Sequence, residues 1–305
     1  MVKRSFRFKT PISVTVGRVL SLLLGVLLLL RLVTSFNFAK PDENYLYVYV
    51  LDVGQSDAIL LRCGEKTMLI DAATSTEEQA LRAELSRYGI KHLDYLVLTH
   101  PHEDHVGNAR WIMENVAVET VLLPAAGSED FIYDLICDTA ARCSVVKTAE
   151  AGQTFSLGGA KVDVLIASGY GDAVTEEDAN NASTVLRVQF GEQVFLFMGD
   201  VQAEAELSLI SAYGTQYLDC DFLKIGHHGS ATSTTELLLA ATTPTVAAIS
   251  CGRQNTYGFP HEAVLENLAA FQAHVYRTDQ SGTLVFGTDG KELRLIPSTT
   301  KGLSL

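Results

Sequence analysis

Cysteine is scarce in this chain. Five cysteines (Cys63, Cys137, Cys143, Cys220, Cys251) lie scattered through 305 residues. That excludes a disulfide scaffold and leaves buried free thiols as the expectation, with Cys137 and Cys143 able to pair in an exported domain. Positive charge is scarce as well. Of 23 basic and 36 acidic side chains, six basic ones (Lys3, Arg4, Arg7, Lys9, Arg18, Arg31) and no acids fall in residues 1–36, which leaves 17 against 36 and a net charge of −19 for the rest. So acidic a body lacks the lysine and arginine that give general affinity for phosphate backbones, which weighs against DNA held by charge alone. Repeats and disorder-prone composition are missing too, and only one apolar run reaches bilayer-spanning length.

That run lies near the N-terminus. Twelve uncharged residues stand between Arg18 and Arg31, and Ile12 to Phe36 spans a bilayer if those two arginines snorkel to the interfaces. The stretch Ser35-Phe36-Asn37-Phe38-Ala39 puts phenylalanine where a cleavage site wants a small residue, so an uncleaved anchor is expected over a cleaved signal. Basic residues ahead of it hold the N-terminus in the cytoplasm and put everything after Lys40 outside. The expected organisation is a basic tail, transmembrane anchor and linker over 1–40, then one catalytic domain over 41–300 on the outer face of the bacterial membrane. With 47% hydrophobic residues, the chain can bury a sizeable core.

The body opens with strands at 45–50, 59–63 and 67–70, a helix over 76–88 stopped by Gly89, and the apolar strand Leu93 to Leu98. Helices (106–115, 131–141) and strands (118–123, 143–147) then alternate. A second run of strands (161–166, 183–190, 193–198) precedes helices at 203–213, 234–241 and 261–273, strands at 222–225 and 246–250, and two terminal strands. Meander followed by alternation occurs twice, which predicts two similar sheets, each covered by helices, packed face to face in four layers.

Histidine is rare, eight in all, yet five fall in two tight groups. Thr99-His100-Pro101-His102-Glu103-Asp104-His105 follows the apolar strand directly, and His227-His228 follows Phe222 to Ile225. Imidazole and carboxylate are ligands for Zn²⁺ and for Mn²⁺ or Fe²⁺, and this clustering marks a metal site. His100 and His102, two apart, point the same way, while a helix beginning near Asp104 turns Asp104 and His105 toward a second ion. Asp71, His100, Asp200 and His227 all sit at the C-terminal ends of strands, the edge where sites collect in α/β sheets.

Those residues together resemble the metallo-β-lactamase superfamily, whose hallmark HxHxDH is here His100, His102, Asp104 and His105. A closer resemblance is to the extracellular hydrolase-like domain of the competence DNA-uptake family ComEC. It rests on Leu51-Asp52-Val53-Gly54-Gln55-Ser56-Asp57-Ala58, Thr99 to His105, Asn180-Asn181-Ala182-Ser183-Thr184, Phe197-Met198-Gly199-Asp200, Leu223-Lys224-Ile225-Gly226-His227-His228-Gly229-Ser230, Asn255-Thr256-Tyr257-Gly258-Phe259-Pro260-His261 and Tyr276-Arg277-Thr278-Asp279. The resemblance covers residues 45–290. It implies an αββα sandwich and a dinuclear site: His100 and His102 on one metal, Asp104 and His105 on the other, Asp200 bridging, and His227 or His228 completing the second. Asp71 looks like an organiser rather than a ligand. Asn180, with Ser183 nearby, stands where most of the superfamily has a histidine, and this poorer imidazole set makes Mn²⁺ an alternative to Zn²⁺.

The function this implies is a membrane-anchored, outward-facing dinuclear metallohydrolase that cleaves a phosphodiester, as a nuclease or phosphodiesterase in DNA uptake or processing. Hydrolysis of a lactone, β-lactam or thioester is the enzymatic alternative, and a non-catalytic DNA-handling accessory module the other. Asp104 is the candidate to orient or deprotonate the attacking water. His261, Lys224, Ser230 and Tyr257 are candidates for substrate contact, and Arg277 with Asp279 for a structural ion pair.

Overall fold

The structure is a computed structural model that describes residues 44–166 and 178–297. Among these no helix is long and apolar enough to cross a membrane. The segment expected as the anchor lies outside the described residues.

Six strands come first: β1 (Leu46–Val50), β2 (Ile59–Cys63), β3 (Lys66–Ile70), β4 (His92–Val97), β5 (Ala117–Leu123) and β6 (Val145–Thr148). Seven follow: β7 (Thr154–Leu157), β8 (Ala160–Leu165), β9 (Val185–Phe190), β10 (Gln193–Phe197), β11 (Phe222–Lys224), β12 (Val246–Ile249) and β13 (His274–Arg277). Then come β14 (Leu284–Thr288) and β15 (Leu293–Leu295). The first six and the last two form one sheet, in the order β15-β14-β1-β2-β3-β4-β5-β6. The middle seven form the other, in the order β13-β12-β11-β10-β9-β8-β7. The first sheet is antiparallel from β15 through β14 and β1 to β3 and parallel from β3 to β6, and the second is antiparallel from β7 to β10 and parallel from β10 to β13. Tight links permit only antiparallel neighbours, whereas helical crossovers return the chain in the same direction. The doubled pattern in the sequence therefore becomes a doubled topology.

Alternation along the strands makes the layers. On β1, Leu46, Val48 and Val50 face a central cluster shared with Phe195, Phe197 and Phe222 of the other sheet. Tyr49 faces outward onto Leu81 and Leu85 of the helix Glu78–Arg87 and Ile112 of the helix Ala109–Asn115. On β10, Leu196 turns outward to Leu209, Leu239 and Leu268, which come from three further helices. The result is helix, sheet, sheet, helix. Each fully buried leucine or phenylalanine contributes roughly 1.5–3 kcal/mol relative to exposure, and three such clusters carry the fold.

Some details depart from expectation. The helix expected from Val106 is two pieces, Glu103–Val106 and Ala109–Asn115. Gly107 lies between them, where a Cβ would come within 2.4 Å of the Ser75 amide nitrogen, so only glycine admits the crossing backbone. Strand β7 carries no clear signal because its alternation, Thr154-Phe155-Ser156-Leu157, runs for only four residues. Cys137 and Cys143 share the helix Phe131–Cys143 six residues apart, on different sides, and remain free thiols like the other three.

Candidate metal centre

Ligand candidates converge from both sheets. Just past β3, Asp71 takes a left-handed backbone (φ 61°), as His227 (φ 48°) and His228 (φ 52°) do after β11. Non-glycine residues reach that region at a cost, and such positions cluster at functional sites. The Asp71 carboxylate accepts from the Thr99 amide (2.8 Å), the Thr99 hydroxyl (2.8 Å) and His105 Nδ1 (2.7 Å). This fixes the His105 tautomer and aims Nε2 at Asp200 Oδ2, 3.3 Å away. Asp200 is held from behind by its amide, which donates to Ser183 Oγ (3.0 Å).

Four imidazole nitrogens surround that one carboxylate oxygen. His105 Nε2 is 3.3 Å from it, His228 Nε2 3.7 Å, His227 Nε2 3.8 Å and His100 Nε2 4.0 Å. His102 Nδ1 lies 3.1 Å from His100 Nε2, and Asp104 Oδ2 lies 3.3 Å from His228 Nε2. The ligand atoms of Asp104, His105, Asp200 and His228 all lie within 4.8 Å of one another. Ligands about 2.0–2.2 Å from one tetrahedral ion stand roughly 3.3–3.6 Å apart; His105 Nε2 to Asp200 Oδ2 and Asp104 Oδ2 to His228 Nε2, both 3.3 Å, meet that spacing, and His228 Nε2 to Asp200 Oδ2, at 3.7 Å, lies just outside it. His105 Nε2, His228 Nε2 and Asp200 Oδ1 are moreover buried with no hydrogen-bond partner. Buried polar atoms are rarely left so, and the donor set fits a divalent cation. His228 lies within this group, while His227, with its side chain 21% exposed, borders it.

The charge balance agrees. Burial favours a neutral Asp200 carboxyl, but His105 and His228 outweigh it and hold the group well below the usual carboxylate range. Burial likewise opposes charge on His105, yet Asp200, Asp71 and Asp104 outweigh it and raise its proton affinity well above normal. His100 goes the other way: burial, then His105, push it well below normal, so its ring is neutral and free to donate a lone pair. Burial raises and His105 and His228 lower Asp104, which ends below the usual range. The cluster concentrates negative charge that only a proton or a cation offsets.

Several expected residues sit elsewhere. Lys224 is neither a substrate contact nor a surface charge. It is wholly buried, with Nζ 2.8 Å from Asp57 Oδ2 and 3.0 Å from the Ile225 carbonyl oxygen. Parallel neighbours on both sides of β11 shut it in. Asp57 Oδ1 is in turn 3.6 Å from His228 Nδ1, which also donates to the Ser250 carbonyl (3.1 Å). Lys224 thus reaches the site only through Asp57 and His228. Sequence reasoning missed Asp57, whose signal was an aspartate wedged between Ser56 and Ala58 ahead of an apolar strand. His261 stands behind Phe259, edge-on at 5.0 Å, and its Nδ1 accepts from the Ala231 amide (2.8 Å). Ser230 is buried against Thr232 (3.0 Å). Asn180 closes the turn before Ser183, whose amide donates to its carbonyl (3.1 Å). Arg277 and Asp279 form a two-point ion pair at 3.0 and 2.8 Å.

Two helix-covered sheets with a histidine–aspartate cluster at their strand ends define a metallo-β-lactamase-fold protein, and a profile of the Metallo-beta-lactamase superfamily matches residues 51–138. The chain is 33% identical over 266 residues to Competence protein ComA of Neisseria gonorrhoeae, covering 86% of this chain and 35% of that protein. It is 32% identical over 264 residues to Recombination protein 2 of Haemophilus influenzae, covering 85% of this chain and 30% of that one. It therefore spans about a third of the length of these curated relatives. Among solved structures, the metallo-beta-lactamase fold protein YhfI from Bacillus subtilis shares the fold with a TM-score of 0.54 at 14% identity, over 80% of this chain and 99% of that one.

Proposed function

We propose that this chain is a membrane-anchored, outward-facing dinuclear metallohydrolase that cleaves a phosphodiester, acting as a nuclease or phosphodiesterase on DNA. The observation that carries the reading is Asp200 Oδ2, within 4.0 Å of imidazole nitrogens from His100, His105, His227 and His228. His105, Asp104, Asp200 and His228 would hold one ion, and His100 and His102, with Asp200 shared, the other. Divalent ions held there would supply Lewis acidity toward a phosphoryl oxygen and lower the pKa of a nearby water. Asp71 keeps His105 aimed at the centre. The Asp104 carboxylate, its side chain 36% exposed, stands on the solvent side where it can orient the attacking water and take its proton. Phe259 lies against both His227 and His228 and keeps bulk water from that flank.

Two relatives are named for competence and recombination, which supports DNA as the substrate. Zn²⁺ and Mn²⁺ both suit the mixed nitrogen and oxygen donors. The test is turnover by protein loaded with each metal on a bis-aryl phosphodiester, single-stranded DNA, a lactone and nitrocefin. Phosphodiester cleavage should exceed nitrocefin hydrolysis by more than tenfold. Nitrocefin hydrolysis without phosphodiesterase activity would reverse the assignment. Orientation is tested separately with a membrane-impermeant thiol reagent on intact cells. Cys143, exposed on its helix, should react without lysis, and protection until lysis would invert the topology.

A further inference from the structure

We propose that Tyr257 is a stacking platform for a nucleobase and holds a single-stranded nucleic acid beside the metal centre, an inference that rests on the phosphodiester reading. Three rings lie nearly parallel in a file from the site to solvent. Phe259 stacks on His228 with centroids 6.5 Å apart at 17°, and Tyr257 stacks on Phe259 at 5.3 Å and 16°. The last ring is 66% exposed, so the file ends on an open aromatic face.

The loop presenting that face is built firmly. Asn255 Nδ2 donates to the carbonyls of Gly252 (2.9 Å) and Phe259 (2.8 Å), while its Oδ1 accepts from the Phe259 amide (2.9 Å). Gly258, at φ 74°, supplies the reversal between the two rings. The Gly252 amide donates to Gln55 Oε1 (2.9 Å), which ties the loop to the turn before β2, and Arg253 Nε donates to the Asp279 carbonyl (3.0 Å). His261 braces Phe259 edge-on. A loop held this way, with the Tyr257 ring already stacked on Phe259, gives up little conformational freedom on binding.

The charge of the chain limits how a strand can be held. A net −13 leaves little electrostatic attraction for a phosphate backbone, so affinity for a strand must come from the metals and from contacts indifferent to charge. Stacking of a base on an aromatic ring is such a contact, contributing about 1–3 kcal/mol per base and accepting any of the four. Bases inside a duplex already stack on each other, so the open face suits an unpaired strand.

The experiment measures binding of the full-length, metal-loaded protein to labelled oligothymidine with phosphorothioate linkages, and to an abasic strand of equal length. Tyr257→Ala should weaken oligothymidine binding roughly tenfold and Tyr257→Phe less than twofold, with the abasic strand indifferent to either change. The tenfold loss should persist as salt is raised. Unaltered oligothymidine binding by Tyr257→Ala, or an equal loss on the abasic strand, overturns the platform. If diesters are cleaved yet oligothymidine binding ignores Tyr257, the platform fails alone. If binding depends on Tyr257 yet no diester is cleaved, the platform stands and the hydrolytic reading fails.

Discussion

Lys224 Nζ lies 2.8 Å from Asp57 Oδ2, and neither side chain reaches solvent. The two are 167 residues apart and join β11 of one sheet to the turn before β2 of the other. Burial opposes ionisation of Asp57, but Lys224, His228 and His105 outweigh it and keep the carboxylate charged. Deleting one partner strands the other charge in the interior. Lys224→Met should therefore cost about 3–5 kcal/mol in urea unfolding. The double variant Asp57→Asn, Lys224→Met should be less destabilised than the sum of the singles, because neither charge is then left unpaired. Strict additivity would mean the pair is uncoupled.

Asp200→Ala should abolish metal binding while leaving the far-ultraviolet circular dichroism unchanged, since the ligands occupy strand ends and not the packed interior. The parent should hold two ions per chain by elemental analysis, and a saturated content near one would contradict a shared carboxylate. His228→Ala should cost more metal affinity than His227→Ala, because His228 falls within the compact group of four.

Metal affinity should rise with pH. Burial alone would strip the proton from His105, yet Asp200, Asp71 and Asp104 hold it there well above the usual histidine range, so an incoming cation must displace it. Titration calorimetry in buffers of differing ionisation enthalpy should register proton release. In the metal-free protein this raised group contributes stability that is complete below about pH 6.5 and fades as pH climbs through the folded value. Melting temperature without metal should thus fall on the alkaline side.

The acid limb should respond to a residue on β8 outside the histidine–aspartate cluster. Asp163 is buried, which favours its neutral form, but Lys161, Thr154 and Tyr217 outweigh that and leave it below the usual range. A depressed carboxyl stabilises the fold above its unfolded value, about 3.9, and loses that contribution as pH falls through the folded one. Asp163→Asn should flatten the loss of stability below about pH 4. An unchanged slope in acid unfolding would show that the hydrogen bonds do not stabilise the charge.

Much of this was legible in the chain because the informative residues are local. His100 to His105 announce themselves by spacing, and the habit of ending strands on a carboxylate or histidine finds Asp71, Asp200 and His227. Two meanders, each followed by alternation, give two sheets. What could not be read depends on distant partners. Nothing in Phe222-Leu223-Lys224 says that its lysine meets an aspartate from before β2, so a buried ion pair passed for a substrate contact. The interruption at Gly107 was equally hidden, since it exists only because the chain near Ser75 crosses there. β7 pairs with β8 at a sheet edge, and its four residues are too few for the alternation of Phe155 and Leu157 with Thr154 and Ser156 to stand out.

The candidate ligands come from different sheets: His100, His102, Asp104 and His105 follow β4, whereas Asp200 and His228 follow β10 and β11. An ion gripped by both sets is a clasp across the seam of the sandwich as well as a chemical tool. Chelation should then loosen the loops at those strand ends while the packed interior holds, admitting protease to the segments after β4 and β11, so that digestion rate there becomes a gauge of metal occupancy independent of any substrate.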